Sequence, residues 1–389
     1  MKRHIFNINL LMFIFILSAC SDPIFFHIQG ETEIKPPFIA GSPTNFIKFN
    51  SSIYVAGGYE DNKDLKNRLF RYFEVTTGKW EWKVIDPKGL IISLAATNST
   101  LYAIFEKDGI GVLKQTSDPE NNDFFPIQKI TGNVQAVYTS NDKLFYCIRN
   151  SDDGTYEIFH FDGSTNTKLI LGKTGDKDTK AFLVGVVHDG SDYYICTNGG
   201  IYTTDDLTTT PVLIQGTSLR TDYSTYFIGI IYLNPSLTAA ITRNGELLNV
   251  KTTGLTSLKN INSANDTKRF LATGALAEWT DGTSNLLLAG RKDSTPSTNT
   301  GFSFGYVEIE YDSAGDVVGS FSSPGASSLT TVSSTESFSS TIGVNPINHL
   351  IQAQDGTIFA STQSKGVWDC RLRSNGWEWN SALQDPNPK

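Results

Sequence analysis

The sequence predicts an all-β chain built from seven near-equivalent, four-stranded antiparallel modules, and three observations predict it. The composition is that of strands, with 24 Phe and 15 Tyr against 2 Met, and aromatic and β-branched side chains fit a pleated, half-buried surface. Short apolar runs recur in groups of four at roughly 45-residue intervals, a period that marks repeat architectures. Asp-Gly and Asn-Gly pairs fall between the runs, where tight hairpins need positive φ. No stretch shows comparable helical periodicity.

Taken in order, the groups begin near Asn45, Leu90, Asn133, Lys180, Thr225, Arg269 and Gly343. In the first, runs at 45–50, 52–57, 69–75 and 80–85 suit a meander. The second run of successive groups repeats at residue level: Ile53-Tyr54-Val55-Ala56, Leu101-Tyr102-Ala103-Ile104, Leu144-Phe145-Tyr146-Cys147, Tyr193-Tyr194-Ile195-Cys196 and Thr357-Ile358-Phe359-Ala360. Its fourth position is usually small. Cys147 and Cys196 therefore read as small core hydrophobes, not as redox or metal groups. A further echo pairs Trp80 and Trp82 of the first group with Trp377 and Trp379 of the last, and these rings are expected to pack between modules. Turn pairs such as Asp108-Gly109, Asp153-Gly154, Asp162-Gly163, Asp189-Gly190, Asn244-Gly245 and Asp355-Gly356 separate the runs.

On these repeats the chain resembles a seven-bladed β-propeller of four-stranded antiparallel blades, from about Asn45 to the C-terminus. The Gly200-Ile201-Tyr202 and Gly366-Val367-Trp368 steps are similar to those of regulator-type and Asp-box propellers. The Ser-x-Asp-x-Gly-x-x-Trp pattern is missing, however, as are the Gly-His and Trp-Asp pairs of WD40 blades, so the resemblance is one of architecture. Radial repetition protects sheet edges without a helix. Both terminal blades contain all their own strands, so closure is expected to rest on face-to-face packing, unless a strand around 38–40 joins the ring.

At the N-terminus, Lys2 and Arg3 precede an apolar run and Leu17-Ser18-Ala19-Cys20, the anatomy of a secretory signal peptide. The last four residues resemble the lipobox of bacterial lipoproteins. That resemblance implies a signal peptide over 1–19, cut before Cys20, whose thiol carries diacylglycerol and whose amino group is acylated. Each buried methylene adds about 0.8 kcal/mol, so two or three chains anchor stably. Ser21 does not match the Asp-type inner-membrane retention signal, which directs the expectation to the outer membrane, in either leaflet. Residues 20–44, with Pro23, Pro36, Pro37 and Pro43, read as a semi-rigid tether, and 45–389 as the propeller domain.

Charge and cysteine usage exclude several functions. Lys plus Arg total 32 and Asp plus Glu 40, and loss of Lys2 and Arg3 leaves a net charge of −10. This balance argues against nucleic acid and against adhesion to anionic lipid heads, leaving the lipid anchor as the membrane link. With Cys20 acylated, Cys147, Cys196 and Cys370 cannot all pair, and zinc-ligand spacings are missing. No metal and no cofactor are expected. Gly199-Gly200 falls between two strands and is not a phosphate loop.

An antiparallel meander puts its second-to-third-strand turns on the face that also carries the connections between modules. Three atypical loops, 57–68, 291–300 and 320–341, then share that face in neighbouring modules. Long loops on a rigid scaffold are where binding resides, which makes Glu60, Asp61, Lys63, Asp64, Arg291, Lys292 and Asp293 the candidate binding residues. The expected role is a non-catalytic envelope scaffold for protein partners. Carbohydrate binding and glycan-active hydrolysis or lysis are the alternatives. For a sialidase the Arg-Ile-Pro signature is missing, and Arg71, Arg149, Arg243 and Arg291 are scattered, so no catalytic residue is assigned. His160 with Asp162 and His188 with Asp189 lack a nucleophile motif and read as locally hydrogen-bonded surface or edge residues.

Overall fold

The computed structural model describes residues 39–61, 64–121, 123–171, 181–214, 223–260, 270–280, 285–293, 306–316, 346–363, 366–373 and 376–380. Cys20, Lys63 and the 294–300 and 320–341 segments lie outside the described residues.

Seven antiparallel sheets follow one another along the chain. Blade 1 holds β1 (Ile47–Phe49), β2 (Ser52–Asp61), β3 (Asp64–Thr76) and β4 (Lys79–Ile85). Blade 2 holds β5 (Leu90–Ala96), β6 (Leu101–Lys107), β7 (Ile110–Thr116) and β8 (Phe125–Pro126). Blade 3 holds β9 (Asn133–Ser140), β10 (Lys143–Arg149), β11 (Tyr156–Phe161) and β12 (Asn166–Leu169). Blade 4 holds β13 (Leu183–His188), β14 (Tyr193–Thr197), β15 (Ile201–Thr204) and β16 (Val212–Leu213). Blade 5 holds β17 (Phe227–Asn234), β18 (Leu237–Thr242), β19 (Glu246–Lys251) and β20 (Gly254–Asn260). Blade 6 shows three strands among the described residues, β21 (Phe270–Thr280), β22 (Asn285–Asp293) and β23 (Tyr306–Tyr311). Blade 7 holds β24 (Ile347–Gln352), β25 (Ile358–Thr362), β26 (Val367–Arg373) and β27 (Gly376–Asn380). Strand order in every sheet is chain order, and the first strand of each blade lies toward the axis beside the first strand of the next. This is a seven-bladed β-propeller, as the 45-residue period predicts.

What holds the ring is burial between blades. The buried apolar side chains fall into seven clusters, and each spans two consecutive blades. Between blades 3 and 4, for example, Phe145, Cys147 and Ile158 meet Leu183, Ile195 and Tyr202. Fully burying one such side chain contributes about 1.5–3 kcal/mol. Cys147 and Cys196 are free and buried, as the repeat slot predicts, and burial pushes the Cys147 thiol up to about 12. Trp82 packs against Phe359 of blade 7, with ring centroids 5.1 Å apart, so it is an inter-blade ring as expected. The side chains of Trp377 and Trp379 lie outside the described residues.

Turn chemistry is legible at Asp108-Gly109, where φ is 54° and 77°. Two other tight turns use no glycine, Asn50-Ser51 and Asn141-Asp142, with φ between 47° and 59°. Asn and Asp tolerate the left-handed region, which makes such turns hard to see in sequence.

Two expectations need correction. The propeller begins before 45: Ile39 is fully buried, Ala40 and Gly58 exchange backbone hydrogen bonds of 2.7 and 3.0 Å, and Thr44 is 7% exposed. The same short segment reaches the other end of the chain, because Gly366 N–H donates to Gly41 O and Val367 N–H to Ile39 O, each at 2.9 Å. Closure therefore combines face-to-face packing with a backbone clasp laid across blades 1 and 7. The second correction concerns 57–68, of which the described residues, 57–61 and 64–68, are strand and not loop. β2 and β3 stay paired from Gly57↔Arg68 out to Asp61↔Asp64, forming one long hairpin.

Candidate functional site

The inner strands enclose an axial cavity of about 420 Å³. These strands carry a register shift near their starts, at Ile91/Ser93, Leu183/Gly185, Phe227/Gly229, Ala272/Leu276 and Ile347/His349. A bulge adds twist and re-aims side chains, and here Ile92, Val184, Ile228, Thr273 and Asn348 are brought to the cavity wall. Glycine at the following position lets blades meet: a Cβ on Gly229 would stand 2.5 Å from Gly274 O in the next blade.

The described lining is uncharged. Tyr138 and His349 are its titratable groups; burial raises the Tyr138 phenol well above its ordinary value and holds the His349 imidazole down at about 4. Both are neutral near pH 7, so the wall offers hydrogen bonds without charge. Gln135 donates to Asn133 Oδ1 at 2.7 Å, and Asn45 Oδ1 accepts from Leu94 N–H at 2.9 Å.

A second cavity, about 200 Å³, opens beside Arg243, Thr273, Pro346, Asn348 and Gln363, where the inner strands of blades 5, 6 and 7 begin. The turns around it share a design. Thr197, Thr242 and Thr362 end the second strands of blades 4, 5 and 7, are fully buried, and hydrogen-bond across their turns to Gly200, Glu246 and Gly366. The next residue clamps neighbouring blades through its backbone. Asn198 N–H donates to Phe182 O while its carbonyl accepts from Phe227 N–H; Arg243 N–H donates to Tyr226 O while its carbonyl accepts from Ala272 N–H. Gln363 N–H donates to Pro346 O, and its carbonyl accepts from Ser42 Oγ, so the clasp closes the ring by the rule used inside it.

The candidate residues fall on this face. Glu60, Asp61 and Asp64 close the β2–β3 hairpin, and Arg291, Lys292 and Asp293 end β22, paired with Ala272, Leu271 and Phe270. They were expected in loops, but their backbones are strand. Both sets lie at second-to-third-strand connections of blades 1 and 6, with blade 7 between them. The histidine–aspartate pairs are structural. His160 is buried against Phe145, and Asp162 accepts from the Thr165 and Ser164 amides, which hold it at about 2. The His188 ring packs tilted against Tyr193, with centroids 4.4 Å apart, and Asp189 caps the turn to Asp192. Sequence reasoning missed His349 and Arg243. The Thr-x-x-Gly turns at 197–200 and 242–245 were the signal that could have drawn attention to Arg243.

No known family model matches the chain, and no curated protein matches it in sequence. Solved structures do match in fold. A xyloglucanase of family GH74 from Xanthomonas campestris superposes with a TM-score of 0.55 at 10% identity, over 89% of this chain and 55% of that one. The WD40 propeller domain of Doa1 gives 0.51 at 9% identity, over 88% and 95%. YCF48 from Cyanidioschyzon merolae gives 0.51 at 11% identity, over 85% and 94%. The propeller fold is what these likenesses share with the chain.

Proposed function

We propose that the chain is an exported bacterial lipoprotein, acylated at Cys20 and held at the outer membrane, whose propeller is a non-catalytic scaffold for a protein partner. The observation that supports the scaffold role is the β2–β3 hairpin. It continues three residue pairs beyond the Gly58 bridge to Ala40, about 10 Å at strand rise, whereas the matching turns of blades 4 and 5 close within a few residues of Thr197 and Thr242. A rigid ring with a raised hairpin beside an axial cavity suits capture of a polypeptide surface.

Other classes fit less well. Carbohydrate recognition favours neighbouring exposed aromatic faces; among the described residues Trp82, Trp279 and Trp368 are 4%, 6% and 3% exposed, and the exposed rings Phe125 and Tyr223 belong to separate blades. Glycoside cleavage needs a pair of carboxyl groups flanking the bond, and the described axial lining supplies amides, the hydroxyls of Ser93 and Thr273, an imidazole and a phenol instead.

The test is capture from envelope extracts by the wild-type chain and by a variant in which residues 60–65 are replaced with Asn-Gly, leaving Tyr59 and Lys66 paired. Loss of the captured protein with the trimmed hairpin is expected; equal capture overturns the reading. Anchoring is tested separately. Cys20→Ala should abolish incorporation of labelled palmitate and move the chain to the soluble fraction, and persistent labelling would exclude acylation at Cys20.

A further inference from the structure

Arg243 departs from the turns that resemble its own. At the equivalent position of blade 4, Asn198 Oδ1 accepts from Phe182 N–H at 2.9 Å, closing the clamp with its side chain. A guanidinium has no acceptor and cannot do this. The Arg243 backbone is nevertheless fixed on both sides, to Tyr226 O at 2.9 Å and Ala272 N at 3.0 Å, so the side chain is released from turn duty while its root stays rigid. It lies over the ring of Tyr223, with Cζ 3.9 Å from the centroid. Its Nε is buried without a hydrogen-bond partner, and no ion pair engages the guanidinium among the described residues.

A partly buried cation without a counter-ion is unfavourable unless something supplies one. The guanidinium borders the 200 Å³ cavity together with Thr273, Asn348 and Gln363. Its planar fork matches the two oxygens of a carboxylate, and the neighbouring amides can bond the peptide group next to that carboxylate. One face of the Tyr223 ring is covered by Arg243, so no sugar ring stacks on that face. We propose that this mouth is a carboxylate-binding site, filled by an acidic side chain or the C-terminus of the partner polypeptide. This inference rests on the scaffold reading above and names the chemistry of its partner.

The experiment follows the Arg243 Nε–H resonance of the full chain during titration with acetyl-glutamate methylamide and acetyl-glycine, against acetyl-glutamine methylamide, acetyl-glycinamide and glucuronate. Saturable shifts with the two peptide carboxylates are expected. Binding should be about tenfold or more weaker for the neutral amides, as it should be for the carboxylates in Arg243→Gln, because a charge-assisted bond is lost. Arg243→Lys keeps the charge and loses the fork, and should fall between. Equal response to the amides, unchanged affinity in Arg243→Gln, or preference for glucuronate would overturn the proposal. Should Arg243→Gln not fold, Tyr223→Leu, which removes only the stacking platform, must weaken binding several-fold, and unchanged affinity there counts against the site. Extract capture separates the two readings: if wild type and Arg243→Gln capture a protein equally, the carboxylate site fails while the scaffold stands. If wild type captures nothing, the scaffold fails, and the titration still judges Arg243.

Discussion

The Tyr72 hydroxyl of blade 1 donates to Asp355 Oδ2 of blade 7 at 2.8 Å, joining residues 283 positions apart. Around that bond the Tyr72 ring meets Phe359 edge-on, with centroids 4.8 Å apart, and Trp82 meets the same phenylalanine at 5.1 Å. A ring closed without a covalent link has one seam that chain continuity does not support, and here that seam is both aromatic and hydrogen-bonded.

Seam variants should therefore be costly. Tyr72→Phe removes a hydrogen bond to a carboxylate and should lower unfolding free energy by about 1.5–3 kcal/mol, and Phe359→Ala, which empties a fully buried site, by about 3–5 kcal/mol. Urea titration measures both. Losses under about 0.5 kcal/mol in each would mean that the seam does not limit stability.

A chain starting at Asn45 should be markedly less stable than one starting at Pro37, because it lacks the Ile39–Gly41 carbonyls that receive the Val367, Gly58 and Gly366 amides. Hydrogen exchange reads this directly. Protection at those three amides should fall in the shorter chain while the Phe227 and Ala272 amides, clamped within the ring, keep theirs; uniform protection in both chains would contradict the clasp.

Cys147 and Cys196 should resist a thiol reagent in the native state at pH 8, since both are fully buried and the Cys147 thiol is pushed up to about 12. The thiolate is the reactive form. Both should label on unfolding in guanidinium, and rapid native labelling of either would place it at the surface.

Stability should decline as pH falls from about 6.5 to 4. Burial holds His349 at about 4 and also lowers His160, so in that window the unfolded chain binds protons that the fold refuses. The stability linked to these groups is thus present above the unfolded value and lost toward the folded one. His349→Asn should flatten the decline by an amount on the order of 2–3 kcal/mol. Asp162, held at about 2 by the Thr165 and Ser164 amides, acts in a lower window, its contribution disappearing as pH falls below the ordinary carboxylate value. An unchanged acid limb in the His349 variant would show that this imidazole is hydrated.

Much of the ring was legible because its information is local. Short apolar runs such as Tyr193-Tyr194-Ile195-Cys196 state their strand, and Asp108-Gly109 states its turn, within a few residues. The hairpin over 57–68 was misread because its two glycines and several charges look like loop composition, although they can pair as strand. The clasp at Ile39 could be named only as an option, since its partners Gly366 and Val367 are more than three hundred positions away in the chain. Arg243 had the same fault in reverse: in sequence it is one arginine in a turn.

By itself the sequence determined the number of modules, the order of strands, the small-residue slots that Cys147 and Cys196 fill, and the side of the ring on which the second turns emerge. These follow from periodicity and turn stereochemistry, which act over short distances. The tertiary structure alone decided how the ring is fastened, what lines its axis, and which cation finds no anion among the described residues. Each of those depends on residues from different blades meeting in space, and on the burial that their meeting creates.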